Sequence, residues 1–321
     1  MRFLECLPAL SLFILSYTIE SDASTATDDN PDALPAISPP YDFDGAIEPD
    51  LLQHLNSTRN ELLFFPTGMM PEYCMNVAKD NGYGPADIEA FNIFYSDCAL
   101  PWTVCRLNHS KVDAYTMAEF FGKIPLSMRE FIRHIIVLKP KDLQGAAAAS
   151  NDDNIEFSED SWCLYILVHE ISHSLDSHVF IPGVTQPDQD RLSDSQTWKD
   201  QFSQDSATVS EYARTLWTED LAETGIIALY DIVVPGGADT LSKNSHDVYH
   251  QYSTYQKYYG DLITPGKKTN CTSRLMNSQM VIWDGSGYRD AGEDRPKPNT
   301  RITIIPPSVF HNETCVLPRV K

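Results

Sequence analysis

Val168-His169-Glu170-Ile171-Ser172-His173 closes an apolar run, residues 162–168 (WCLYILV), that has no polar gap and predicts a buried helix. On such a helix His169 and His173 lie one turn apart on one face, so both imidazoles reach a single metal ion. Glu170, beside the first imidazole, is then placed to take a proton from a water on that metal. Two imidazoles and a carboxylate at the border of a core are costly without a partner, and the HExxH arrangement of zinc hydrolases supplies one.

Catalytic zinc usually takes three protein ligands, so a third is required. Asp176 and His178 are nearest, but on a continuous helix Asp176 lies about 10 Å along the axis from His169. The extended pattern with a third His six residues after the second also fails, since position 176 is Asp and position 179 is Val. Asp176, on the stripe of both histidines, reads instead as an acceptor for an imidazole N–H. Downstream, helical spacing runs from Val209 to about Tyr230, before a β-rich stop at residues 232–237 (IVVPGG). Its carboxylates are Glu211, Glu219, Asp220 and Glu223. Tyr212 and Glu219 are seven residues apart, two turns on one face, and Glu223 continues the stripe. A Glu ligand with a Tyr hydroxyl to steady an oxyanion completes a zinc peptidase site. Glu219 is the expected ligand, with Glu223 its competitor.

HEISHSLD (169–176), followed by Tyr212 and by Glu219-Asp220-Leu221-Ala222-Glu223, resembles the anthrax lethal factor family of gluzincin peptidases. There HExxH is followed by Asp three residues on, and a Tyr stands seven residues before the Glu of an E-x-x-A-E stretch. The resemblance covers only the two helices, about 162–178 and 208–230. It implies His169, His173 and Glu219 as Zn2+ ligands, Glu170 as general base and Tyr212 as oxyanion donor. A broader stretch, from about Cys98 to Cys271, is similar to conidiation-specific secreted proteins of filamentous fungi, a family described as peptidases. That likeness rests on VHEISHSLD, on DxxxPGG from Asp231 to Gly237, and on HQYSTYQKYYGD from His250. The implied fold is α+β and mainly helical, a zincin-like metallopeptidase domain with a small mixed sheet and an HExxH active-site helix. No substrate follows from either resemblance.

At 321 residues and 42% hydrophobic, the chain has material for one sizeable core. Residues 1–20, with Arg2 and an apolar span from Leu7 to Tyr17, read as a signal peptide too short to span a bilayer. The expected location is therefore secreted and extracellular. Six of the seven cysteines follow that segment, which suits disulfides in an oxidising compartment. Cys98 with Cys105 and Cys271 with Cys315 are the expected pairs. Sequons at Asn56, Asn108, Asn270 and Asn312 predict N-glycans. A formal charge of −21 argues against nucleic acid and anionic membranes. The expected partner is a protein or peptide substrate, and the chain is expected to act as a monomer.

Residues 21–50 read as a flexible leader or short propeptide, 51–265 as the catalytic domain, and 266–321 as a Pro-rich, cysteine-anchored extension. Between 51 and about 130, helices and loops are expected to alternate. Residues 131–138 (FIRHIIVL) predict a strand that pairs with substrate, residues 145–154 (GAAAASNDDN) a loop, and 247–260 a helix. His246 and His250 repeat the four-residue spacing without a following Glu and read as part of a packed aromatic helix. A rival to the enzyme is a non-catalytic secreted zinc-binding or cell-surface glycoprotein of the same fold, for which Glu170 and Tyr212 would have no use. A zinc hydrolase acting on another bond is a third reading.

Overall fold

The computed structural model describes residues 31–186, 191–271 and 274–292, with the backbone of Thr303–Ile304. The expected signal peptide, Cys315 and the Asn312 sequon lie outside the described residues. In chain order the elements are α1 (Glu48–His54), β1 (Asn60–Phe64), β2 (Met69–Pro71), α2 (Glu72–Asp80), β3 (Ile88–Tyr95) and β4 (Trp102–Leu107). Then come α3 (Ala114–Lys123), α4 (Leu126–Arg129), β5 (His134–Leu138), β6 (Ala148–Asn151), β7 (Asn154–Ser158) and α5 (Leu164–His178). The rest are α6 (Gln196–Phe202), α7 (Trp217–Val233), α8 (Tyr249–Ile263), β8 (Met280–Trp283), β9 (Tyr288–Asp290) and β10 (Thr303–Ile304).

The fold is α+β, with a main sheet larger than the small one expected. Seven strands form one mixed sheet in the order β10-β1-β3-β4-β5-β7-β6, and β2-β8-β9 form a second. Strands β1, β2, β3 and β4 occupy the stretch where helices and loops alone were expected. Alternating side chains serve two cores: Phe91, Ile93, Trp102, Val104, Ile135 and Val137 face most of the helices, while Ile88, Ala90, Cys105, Ile136 and Leu138 face the side of α2. With both faces covered, such strands lose the polar alternation that would reveal them.

Two placements differ from expectation in ways that bear on the site. β5 is no substrate edge: it lies between β4 and β7, parallel to both, and is buried along its whole length. The outer strand is β6, from the stretch expected to be a loop. It pairs with β7 through a two-residue turn in which Asp152 and Asp153 have φ of 47° and 64°, the left-handed geometry that matches the twist of a hairpin.

Among the described residues, disulfides join Cys74 to Cys105 and Cys98 to Cys271 in place of both expected pairs. Cys105 projects from β4 toward α2, where Cys74 waits, and Cys98 meets Cys271 beyond the end of α8. The IVVPGG stretch is helical through Val233 rather than β-rich. The helix gives way at Val234, which is extended before Pro235, and Gly237 (φ 60°) beyond it leaves room for Asp231 Oδ1, which accepts the Ala238 amide at 2.9 Å.

Packing also begins earlier than Leu51. Ile37, Tyr41 and Ile47 are in the main core, so residues 31–50 are no flexible leader. Cys163 offers α5 no side-chain cap; the buried Glu48 does so from α1, accepting the amides of Leu164 at 2.9 Å and Tyr165 at 3.0 Å. Glu48→Ala is expected to lower the unfolding free energy by about 1–3 kcal/mol, read as a lower denaturation midpoint at constant slope. Burial pushes the Glu48 carboxyl up to about 7 despite those two bonds. Raised above the unfolded value of about 4.3, the group stabilises the fold at low pH and loses that contribution as pH rises through about 7. Glu48→Gln should therefore flatten the fall in stability across that window.

Candidate metal centre

The site forms where α5 lies against α7. A Cβ on Gly225 of α7 would stand 2.4 Å from Ser172 Oγ and 2.9 Å from the Tyr255 hydroxyl of α8, so only glycine permits this approach. Ser172 belongs to the turn of α5 that carries His169 and His173. Its hydroxyl returns to Val168 O at 2.9 Å and meets Tyr255 Oη at 2.8 Å, which leaves it no room to withdraw. The carboxylates of α7 are thus delivered to the imidazoles of α5.

His169 Nε2 lies 3.0 Å from Glu219 Oε2, His173 Nε2 lies 3.2 Å from His169 Nε2, and His173 Nε2 lies 3.5 Å from Glu219 Oε2. Donor atoms about 2.0–2.1 Å from a tetrahedral zinc stand about 3.3–3.4 Å apart, so this triangle fits one face of such a coordination shell. Among the described residues, no other group of three His, Cys, Asp or Glu donors converges in this way. Glu223 takes the other side of the ring, with Oε1 3.0 Å from His169 Nδ1. Its carboxylate thus lies outside the triangle of His169, His173 and Glu219.

Tyr212 reaches the site by a route the spacing did not predict. Helix α7 begins only at Trp217, and Tyr212 sits on a turn before it, half exposed, its ring 5.9 Å from that of His169 and its hydroxyl bonded to Glu219. Asp176 does not accept an imidazole N–H. Its two oxygens take the amide (3.0 Å) and hydroxyl (2.5 Å) of Ser193, fastening the connection between α5 and α7. His250 pairs with Asp205 at 2.9 Å and the exposed His246 with Asp247, and neither approaches a third donor.

The triangle opens on a cleft of about 700 Å3 that runs between α5 and β6 and includes Ala148, Ala149, Ser150, Glu170 and Tyr212. A larger cavity of about 790 Å3 lies against β1 and β3 and contains none of these candidate residues.

The family model of conidiation-specific protein Con-13 matches residues 43–262, which take in both helices and the cap at Glu48. The chain belongs to the Con-13 family. It is similar to conidiation-specific protein 13 of Neurospora crassa, 30% identical over 184 residues, or 57% of this chain and 52% of that protein. The chain thus matches about half the length of this relative. No solved structure matches it.

In this Con-13 chain the buried His169 is pulled two ways. Burial alone would lower its pKa, but hydrogen bonds to Glu219 and Glu223 outweigh burial and push it up to about 10. Against its own partial burial, the bonds from His169 and His173 hold Glu219 well below the usual carboxylate range. An imidazolium is therefore the natural occupant at neutral pH without metal, and a divalent ion would displace the Nε2 proton while Nδ1–H stays on Glu223. Gly225, Ser172, Ser210 and Glu48 were not singled out from sequence. Only Gly225 carried a signal, as a lone glycine inside a helical pattern.

Zinc titration of the Con-13 chain should show one site. Glu219→Ala should abolish it, whereas Glu223→Ala should weaken it by about 10–100-fold, as expected for an outer acceptor; equal losses would reverse the two assignments. Gly225→Ala should destabilise the fold by about 1–3 kcal/mol by overpacking, against the gain that alanine ordinarily brings to a helix, and should weaken zinc binding in parallel.

Proposed function

We propose that this Con-13 chain is a secreted zinc metallopeptidase of zincin-like architecture, acting on peptide bonds. One observation carries the reading: His169, His173 and Glu219 converge at zinc-ligand spacing beside a buried glutamate, in a cleft bounded by an outer strand. The two imidazole nitrogens and one carboxylate oxygen are the donor set of a catalytic zinc that keeps a position open. When bound, zinc supplies Lewis acidity that polarises a carbonyl and acidifies water.

The chain's own residues supply the rest. Glu170 is 5% exposed, and its pKa is raised by burial, partly offset by the neighbouring imidazoles, which suits a carboxylate that takes a proton and returns it to a leaving amine. Partial burial and the charges of Glu219, Glu170 and Glu223 push Tyr212 up to about 12. The phenol therefore stays protonated and donates to an oxygen that gains negative charge. Among the described residues β6 has a strand on one side only, and the small side chains of Ala148, Ala149 and Ser150 let an extended peptide add to its free edge.

The disulfides among the described residues support an oxidising compartment. Asn56 and Asn270 are exposed and suit glycan attachment, whereas the Asn108 amide is bonded to Ala86 O. No described helix is long and apolar enough to cross a membrane.

Zinc quantification joined to a peptide-library digest tests the reading. Wild type should cleave, and Glu170→Gln should hold zinc while turnover falls below about 1% of wild type. A wild type that loads zinc and cleaves no peptide would favour the zinc-binding glycoprotein instead.

A further inference from the structure

Ser210 stands just before the Tyr212 turn and makes two hydrogen bonds with one hydroxyl. It donates to Glu223 Oε2 at 2.7 Å and accepts the amide of Ala213 at 3.1 Å. A hydroxyl has a single proton, so the bond to the carboxylate commits it and leaves a lone pair for the amide. The other oxygen of Glu223 faces His169 Nδ1, so this carboxylate is gripped at both oxygens. That grip holds an imidazole proton on Nδ1, so that the lone pair a metal would uncover at Nε2 faces the space between His173 and Glu219.

On its other side, the Ala213 bond closes a turn with Tyr212 at its bend. The same turn is secured by Thr215, whose amide and hydroxyl both bond Tyr212 O, at 3.0 and 2.8 Å. The stretch is anchored from the N-terminal segment as well. Thr208 exchanges backbone bonds with Pro35 and Ile37 at 2.8 Å, and its hydroxyl donates to Ser210 O at 3.0 Å. Ser210 is thus fixed before it reaches either Glu223 or Ala213.

We propose that Ser210 is a positioning residue whose single hydroxyl sets the orientation of His169 through Glu223 and the place of the Tyr212 phenol through Ala213. The inference rests on the zinc-site reading above. It makes metal affinity and the location of the oxyanion donor depend on one side chain that touches neither metal nor substrate. A serine that merely closed a local turn would leave metal affinity alone.

The test uses the full chain as wild type, Ser210→Ala, Ser210→Thr, Glu223→Gln and the Ser210→Ala/Glu223→Gln pair. Zinc affinity is read by competition with a chromophoric chelator, and loop order by hydrogen exchange of residues 211–215. Ser210→Ala should weaken zinc about tenfold, the lower end for loss of an outer hydrogen-bonding partner, and should speed exchange across the loop. Ser210→Thr keeps the hydroxyl and should retain both properties. Adding Ser210→Ala to Glu223→Gln should cost no further zinc affinity yet still loosen the loop, since the two residues act in series on His169. Additive zinc losses in the pair, or a Ser210→Ala chain that matches wild type in zinc affinity or loop exchange, would overturn the proposal. A wild type that takes up no zinc would instead overturn the metal-site reading on which it rests.

Discussion

The close contact of α7 with α5 at Gly225 and Ser172 is the constraint on which the site depends. Three helices meet there, since the Tyr255 hydroxyl of α8 also hydrogen-bonds Ser172 Oγ at 2.8 Å. Gly225 is two residues beyond Glu223, and Ser172 lies between His169 and His173, so their separation sets the imidazole–carboxylate distances directly. Leu167, Val168, Ile171, Ile226, Ile227 and Leu229 are fully buried around the contact, and interiors packed to this degree transmit a shift rather than absorb it. Donor spacing is therefore a property of helix packing, not of loose side chains.

Helix α7 must also direct its acidic residues to different ends. Glu219 and Glu223 are four residues apart on one stripe and meet the two nitrogens of one imidazole. Asp220, one position on, points into the core, where one of its oxygens accepts Trp198 Nε1–H at 2.9 Å and ties α6 to α7. Burial pushes the pKa of Asp220 well above the usual carboxylate range, with only the Trp198 bond opposing it among the larger effects. Two neighbouring carboxyl groups thus meet opposite electrostatics: Glu219 is held ionised by imidazoles, and Asp220 is driven toward its neutral acid. In a chain of formal charge −21, this partition limits how much uncompensated negative charge the two helices must bury together.

The grouping of the candidate residues was more legible than the architecture. Spacing alone placed His169 and His173 on one face, and a stripe four residues wide found both Glu219 and Glu223. What spacing could not decide was which carboxylate meets which ring nitrogen, since that depends on the depth at which α7 sits. The place of Tyr212 near Glu219 was expected, but for the wrong reason: helix periodicity was extended back to Val209, whereas hydrogen bonds from Ala213 and Thr215 bend residues 210–216 into turns. The seven-stranded sheet was largely missed. Ile88–Tyr95 and Trp102–Leu107 serve a core on each face, so their apolar residues run together and mimic buried helix. The disulfides were beyond reach for a related reason, because Cys74 and Cys105 are brought together only when α2 docks on β4.

The same limit explains why residues 31–50 resembled a leader. Their Asp, Ala and Pro content is that of an unstructured stretch, yet three of its carboxylates have specific partners on the helices of the candidate site. Glu48 caps α5, Asp44 accepts the Tyr165 hydroxyl of that helix at 3.1 Å, and Asp50 accepts the Tyr230 hydroxyl of α7 at 2.5 Å. Pro35 and Ile37 bond Thr208 at the foot of the Tyr212 turn, and Asp32 O accepts Arg214 at 3.3 Å within the turn itself. One short segment thus touches both helices of the candidate site and the loop between them. Composition measures how much apolar surface a stretch can bury by itself, whereas this stretch is ordered by what the rest of the chain offers it. The Con-13 match begins at Phe43, whose ring packs on Tyr165 of α5, so the family signal takes in this segment's contact with that helix.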